Sequence, residues 1–204
     1  MKIFGLTTNE HIDKVIEKYN SSLETPLAKI NNDAKHYTKL LKEFDKDASK
    51  LRSLSNIIKD NPIGSVKYND AKQKATEIQN KDLYSEIKFY GTGLKYKIVK
   101  IKGTLSTLKK EIDGFLRRAE KQRDDYSSRY PESPAPKELK LLIDYVYTWL
   151  YIQNQLDNDI VRIENIEKDL SKAEKILHDF NEISDSINLV LSLEKDLIVN
   201  LERE

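Results

Sequence analysis

Between Ile87 and Lys110 the chain carries seven lysines and no acidic residue, with Phe89, Tyr90 and Tyr96 set among them. Ammonium groups interleaved with aromatic rings suit a phosphate-bearing surface, because the charges displace counterions or respond to a negative surface potential. Lys88, Lys95, Lys97, Lys100 and Lys102 are therefore the candidate phosphate-binding residues, with nucleic acid or an anionic membrane as candidate ligand. A formal net charge of +1 argues against a dedicated nucleic-acid binder. The stretch also has a use inside the chain, as a basic face for an acidic helix, and that use is the favoured one.

Two further residues invite a partner. Tyr147 and Tyr151 lie one helical turn apart, on a different face from Tyr145 and Trp149, and paired outward aromatics often anchor protein partners. Packing at the end of a bundle is the competing role for them.

Catalytic and metal chemistry find little support. His11, His36 and His178 are widely separated, no pair of Glu-x-x-His motifs exists, and there is no cysteine, which excludes thiolate metal sites and disulfides. No phosphate loop, dinucleotide fingerprint, nucleophile elbow or zinc-protease motif occurs. The expectation is a protein without enzymatic activity, metal or cofactor.

The elements that would position these residues are long helices. Leu142, Tyr145, Trp149, Ile152 and Leu156, then Ile163, Ile166, Leu170, Ala173, Leu177 and Phe180, and later Ile187, Leu191, Ile198 and Leu201, follow a 3,4 spacing with a lapse at Asp159. Such spacing keeps one stripe against a partner helix. Leu94, Ile98, Ile101, Leu105, Leu108, Ile112, Phe115 and Ala119 form a second seam. Ile16, Leu23, Ile30, Tyr37, Phe44, Leu51 and Ile58 form a third, with Leu27, Ala34, Leu41 and Ala48 between them.

Breaks are few. Thr7 and Glu10 have capping-box spacing, and Pro26 suggests a kink with Thr25 as a new N-cap. Asn61 to Gly64 reads as a turn, and Pro131 to Pro136 as the firmest boundary, with Pro136 in the first turn of the next helix. Gly91, Thr92 and Gly93 could kink a continuous helix or reverse the chain into a fourth segment; the phase on both sides favours the kink, since an interior glycine costs only about 1 kcal/mol. The predicted helices are 8–60, 66–129 and 137–203, in a single domain spanning 1–204. The last would be on the order of 100 Å long at 1.5 Å per residue.

Charge supports antiparallel pairing of the second and third helices. Residues 1–66 hold 11 basic and 9 acidic side chains, 67–130 hold 16 and 9, and 131–204 hold 8 and 16, so the nets run +2, +7 and −8. Lys88, Lys95, Lys102 and Lys109 share one heptad position and would face a region holding Asp157, Asp159, Glu164 and Glu167. Flanking charges of this kind select partner and register.

With 34% charged and 38% hydrophobic residues, the chain has material for a narrow seam rather than a thick core. The expected fold is an all-α, elongated antiparallel coiled-coil bundle of three long helices. No span reaches the roughly 18 uncharged apolar residues of a transmembrane helix. The expected function is a cytoplasmic scaffold or adaptor that binds protein partners or itself through coiled-coil surfaces, and the Lys, Asn, Ile and Tyr enrichment fits a bacterial or viral assembly component.

Overall fold

The protein is described by a computed structural model covering residues 2–3, 6–131 and 137–201. Within these the architecture is all-α apart from a minimal ladder, in which β1 (Lys2–Ile3) pairs antiparallel with β2 (Leu6–Thr7). The helices are α1 (Thr8–Tyr19), a π-helical turn (Asn20–Glu24), α2 (Thr25–Asp60), α3 (Val66–Gln79), α4 (Leu83–Arg129) and α5 (Lys137–Leu201). The Thr7 side chain, Pro134, Pro136 and the end of the third predicted helix lie outside what is described.

The predicted kink at Pro26 takes a different form. Thr25 has φ −65° and ψ −47°, helical rather than the extended geometry of an N-cap, so no new helix starts there. Proline has no N–H for the carbonyl four residues back, and the π turn directly before it takes up the extra residue. That residue moves the seam. From Leu23 on, Leu27, Ile30, Tyr37, Phe44, Leu51 and Ile58 are buried as predicted, with Leu40 buried in place of the predicted Leu41, whereas upstream Val15 is buried at 6% exposure and the predicted Ile16 is 39% exposed.

Asn61 to Gly64 forms the predicted turn: the Ser65 amide donates to the Pro62 carbonyl at 3.1 Å, and Gly64 takes φ +80°, which favours glycine. Ser65 then caps α3, its hydroxyl accepting from the Tyr68 amide. The next break is not at Gly91 to Gly93, which lie inside α4, but at Asn80 to Asp82. A methyl group added at Gly91 would sit 3.2 Å from the Tyr37 ring and hydroxyl, while one at Gly93 would meet nothing. Gly91 thus serves close helix approach, not chain reversal.

The chain divides into two compact units, each discontinuous in sequence: residues 1–32 with 94–167, and 33–93 with 168–204. The sequence placed no division within its single domain, because α2, α4 and α5 each contribute to both units. In the first unit α4 opposes both neighbours in direction. Lys102 reaches Glu167 and Lys109 reaches Asp157 on α5, while Lys18 on α1 reaches Glu111 on α4. In the second unit Tyr68 meets Glu194, Gln79 meets Ser184, and Tyr84 meets Asn181, so α3 and α4 both run antiparallel to α5. The break at Asn80 therefore interrupts the path without reversing it.

The cores are single seams. Ile98, Leu105, Leu108, Ile112, Leu142, Trp149, Leu156 and Ile163 fill the first, and Phe44, Leu51, Tyr68, Ile87, Leu170, Ala173 and Ile187 the second. Phe44, Tyr84 and Phe180 form an aromatic cluster in the second unit, with centroids 4.8 to 6.1 Å apart. At the lapses in the α5 pattern the structure buries carboxylates. Asp159 accepts a short hydrogen bond from the Tyr19 hydroxyl and a contact from Arg162 at 3.2 Å. Glu194 accepts from Tyr68 at 2.9 Å and Lys72 at 2.7 Å. Buried polar groups persist in a seam when such partners satisfy them.

Candidate binding surfaces

The lysine-rich part of α4 separates into two rows. Lys102 and Lys109 lie toward α5, where Lys102 donates to both Glu167 oxygens at 3.0 and 2.8 Å and Lys109 donates to Asp157. The hydrogen bond to Asp157 holds the Lys109 ammonium above its ordinary pKa. Such exposed pairs contribute about 0 to 1 kcal/mol each, so they set register more than stability. Lys95 has a further interaction of its own, and Lys88, in the other unit, is exposed.

Lys97 and Lys100 turn the opposite way. With Lys29 they line a groove of about 220 Å³ between the junction of α1 with α2 and α4. Pro26, Ile30 and Ile101 supply its apolar lining and the hydroxyls of Ser22, Thr25 and Thr104 its neutral polar groups. Among the described residues no carboxylate lines it, and Lys97 has a further interaction of its own. The five predicted phosphate-binding lysines are thus not one surface, and Lys29, which joins two of them, was not singled out from sequence. The missed signal was Pro26 with its neighbours: a helix that must bulge before a proline opens space beside it.

Tyr147 and Tyr151 are 67% and 64% exposed, while Tyr145 and Trp149, which alternate with them, are buried. Trp149 stacks on Phe115 at 5.0 Å and 11°, with Tyr145 edge-on at 5.7 Å, and the Arg118 guanidinium lies 4.9 Å from the Phe115 centroid. That cluster fixes the rotation of α5 and leaves the two outer tyrosines pointing away from it. Val161 continues the outward stripe at 54% exposure.

The second unit carries a polar groove of about 850 Å³ beside the Asn80 break, between α3, the start of α4 and α5. Gln79 donates to the Ser184 carbonyl and to the Asn188 amide oxygen there, and Asn181 donates to the Tyr84 hydroxyl. Two of its lysines are committed, Lys72 to Glu194 and Lys81 to Asp47. Leu189, Leu193 and Leu197, on successive turns of α5, are 62%, 55% and 53% exposed.

His36 packs edge-on against Tyr90 at 4.8 Å, and the His11 side chain lies outside the described residues. His178, Asp179 and Glu182 bring ligand atoms within 4.8 Å of one another on one exposed turn, a grouping not anticipated from sequence. Arg52 already bridges Asp179 at 3.3 Å, and its charge opposes a cation there. Among the described residues no helix is long and apolar enough to cross a membrane.

No protein-family description matches the chain, and no curated protein matches it. Among solved structures it is similar to a computationally designed three helix bundle, at 15% identity and a TM-score of 0.31, covering 96% of this chain and 91% of that one. So slight a likeness adds nothing to an architecture read directly from the helices.

Proposed function

We propose that this chain is a non-enzymatic scaffold or adaptor that joins protein partners, a second copy of itself among them, through outward faces of its helices. The reading is carried by the rotation of α5 in the first unit, which buries Tyr145 and Trp149 while turning Tyr147 and Tyr151 outward at 67% and 64% exposure. Large aromatic side chains left outside a filled core offer much contact area at low entropic cost, and partner anchors have that property. The exposed leucines of the second unit offer an apolar helix face for self-association. A cytoplasmic setting and a part in a bacterial or viral assembly fit this role.

A photo-crosslinking residue placed at 147 or 151 tests it in cells. The expected result is a protein adduct, either a distinct partner or a second copy. Recovery of no adduct, together with a monomer at all concentrations by light scattering, would overturn the reading.

A further inference from the structure

We infer that a second copy of this chain docks antiparallel on the outer face of α5 in the first unit, centred at the level of Trp149. The inference rests on the scaffold reading and names the partner of its two tyrosines. Trp149 is fully buried, and it stands two residues from Tyr147 and two from Tyr151, about 200° round the helix from each. The tyrosines therefore lie on the side away from the core. They belong to a stripe, Lys140, Asp144, Tyr147, Tyr151, Asn154 and Asn158, whose steps alternate four and three and whose every member is exposed. Such a stripe is a second seam, opposite the first, with the spacing that meets another helix. Among the described residues none of these six side chains has a partner within the chain.

Reversed, the stripe is complementary to itself. In an antiparallel pair centred at Trp149, residues equally far before and after that position face each other. Tyr147 then meets Tyr151 of the second copy, Asp144 meets Asn154 and Lys140 meets Asn158, and by symmetry each layer occurs twice. The Asn154 amide donates to the Asp144 carboxylate, and the Asn158 amide oxygen accepts from the Lys140 ammonium. The tyrosine layers lie at the centre, where paired aromatic rings add to the contact. Other arrangements lose this match. A parallel pair sets Asp144 against Asp144 and Lys140 against Lys140, and sliding the antiparallel pair by a heptad in either direction parts the tyrosines. Polar residues in a seam fix register and partner at a cost in stability, which makes the second copy, rather than an arbitrary apolar helix, the occupant that fits.

Sedimentation equilibrium of the full chain over a concentration series tests the assignment. The wild type should show a monomer–dimer equilibrium. Tyr147→Ser with Tyr151→Ser should leave a monomer, whereas Leu189→Ser with Leu193→Ser, on the second unit, should leave the dimer in place. Asn154 gives a test that a folding defect does not confound, because its side chain is exposed. Asn154→Lys sets an ammonium against Asp144 of the second copy in two layers and should tighten the dimer about three- to tenfold, and Asn154→Asp should weaken it by a similar factor. In a parallel pair position 154 faces itself, and both changes would weaken it. Weakening by both would therefore overturn the arrangement, as would loss of the dimer in the leucine variant but not in the tyrosine variant. A monomer at every concentration would overturn it too. A distinct protein captured through position 147 or 151 would in that case leave the scaffold reading standing, and absence of any adduct would remove both.

Discussion

Tyr68 on α3 donates its hydroxyl to the Glu194 carboxylate on α5 at 2.9 Å, and both side chains are buried, at 0% and 6% exposure. Lys72 completes the site at 2.7 Å. The hydrogen bond from Lys72, opposed by burial and aided by the Tyr68 hydroxyl, holds the Glu194 carboxyl below its ordinary range. Burial first, then the bond to Glu194, pushes the Tyr68 hydroxyl up to about 12. A carboxylate in an apolar seam is thereby kept charged by two residues from one helix.

Acid should expose this dependence. A carboxyl whose folded-state pKa is depressed contributes stability that is present above its unfolded value, about 4.3 for Glu, and lost as pH falls through the folded value. The melting temperature of the wild type should therefore fall below roughly pH 4.3, and Glu194→Gln should flatten that part of the curve while lowering stability at neutral pH. An acid limb as steep in Glu194→Gln as in the wild type would remove Glu194 as a contributor. Tyr68→Phe leaves the carboxylate buried with one partner fewer, at a cost of about 1 to 3 kcal/mol, read from denaturant unfolding.

Tyr19 and Asp159 repeat the device in the first unit, and there the partners can be tested together. Burial, followed by the hydrogen bond to Asp159, raises the Tyr19 pKa strongly. Tyr19→Phe strips a donor from Asp159, which is 7% exposed, and should cost about 1 to 3 kcal/mol. Adding Asp159→Leu removes the stranded carboxylate and restores an apolar residue to the seam. Replacing both partners of a buried polar contact is often near neutral, so the double variant should be more stable than Tyr19→Phe alone. A double variant less stable than the single would show that the carboxylate has another structural role.

Much of this was legible in the sequence, for a physical reason. A two-helix interface repeats at 3.5 residues, so the seams through Leu94 to Ala119 and Leu142 to Phe180 could be read from spacing alone. The lapse at Asp159 was visible as well, but its partner was not, because Tyr19 lies 140 residues away and no local pattern links the two. The direction of Lys102 and Lys109 toward acidic α5 followed from segmental charge. The grouping of Lys29 with Lys97 and Lys100 did not, since it depends on how a local bulge rotates one helix against another. The favoured continuity of the helix through Gly91 to Gly93 holds, whereas the break at Asn80 to Asp82 was not expected, although Asp82 stands at a favoured N-cap position before α4.

Those glycines should respond oppositely to alanine. Gly93 and Gly103 have open space where a methyl would go, so each alanine should stabilise the helix by up to about 1 kcal/mol. At Gly91 the methyl would meet the buried Tyr37 ring and hydroxyl at 3.2 Å, and a packed ring of 3% exposure has little room to retreat. Gly91→Ala should destabilise by about 1 to 3 kcal/mol, and the loss should shrink in a Tyr37→Leu background. Additive effects of the two changes would show that Tyr37 is not the obstacle.

The π turn makes the sharpest demand on chain length. It adds one residue to the helical path between Val15 and Leu23, both buried at 6% and 0% exposure, eight positions apart where a regular seam would use seven. Deleting Asn20, an exposed residue of that turn, should let Asn20–Glu24 close into α-helix and keep Val15 and Leu23 on one face. The cost should stay within about 1 kcal/mol, because a single-residue insertion is the origin of most such bulges. Deleting Lys42, equally exposed but inside regular α2, has no bulge to absorb it. It would turn every seam residue on one side by about 100°, and unfolding should show a loss of several kcal/mol, the scale of core disruption. Equal losses from the two deletions would mean that the bulge is fixed by its contacts with the rest of the first unit, not by the surplus residue.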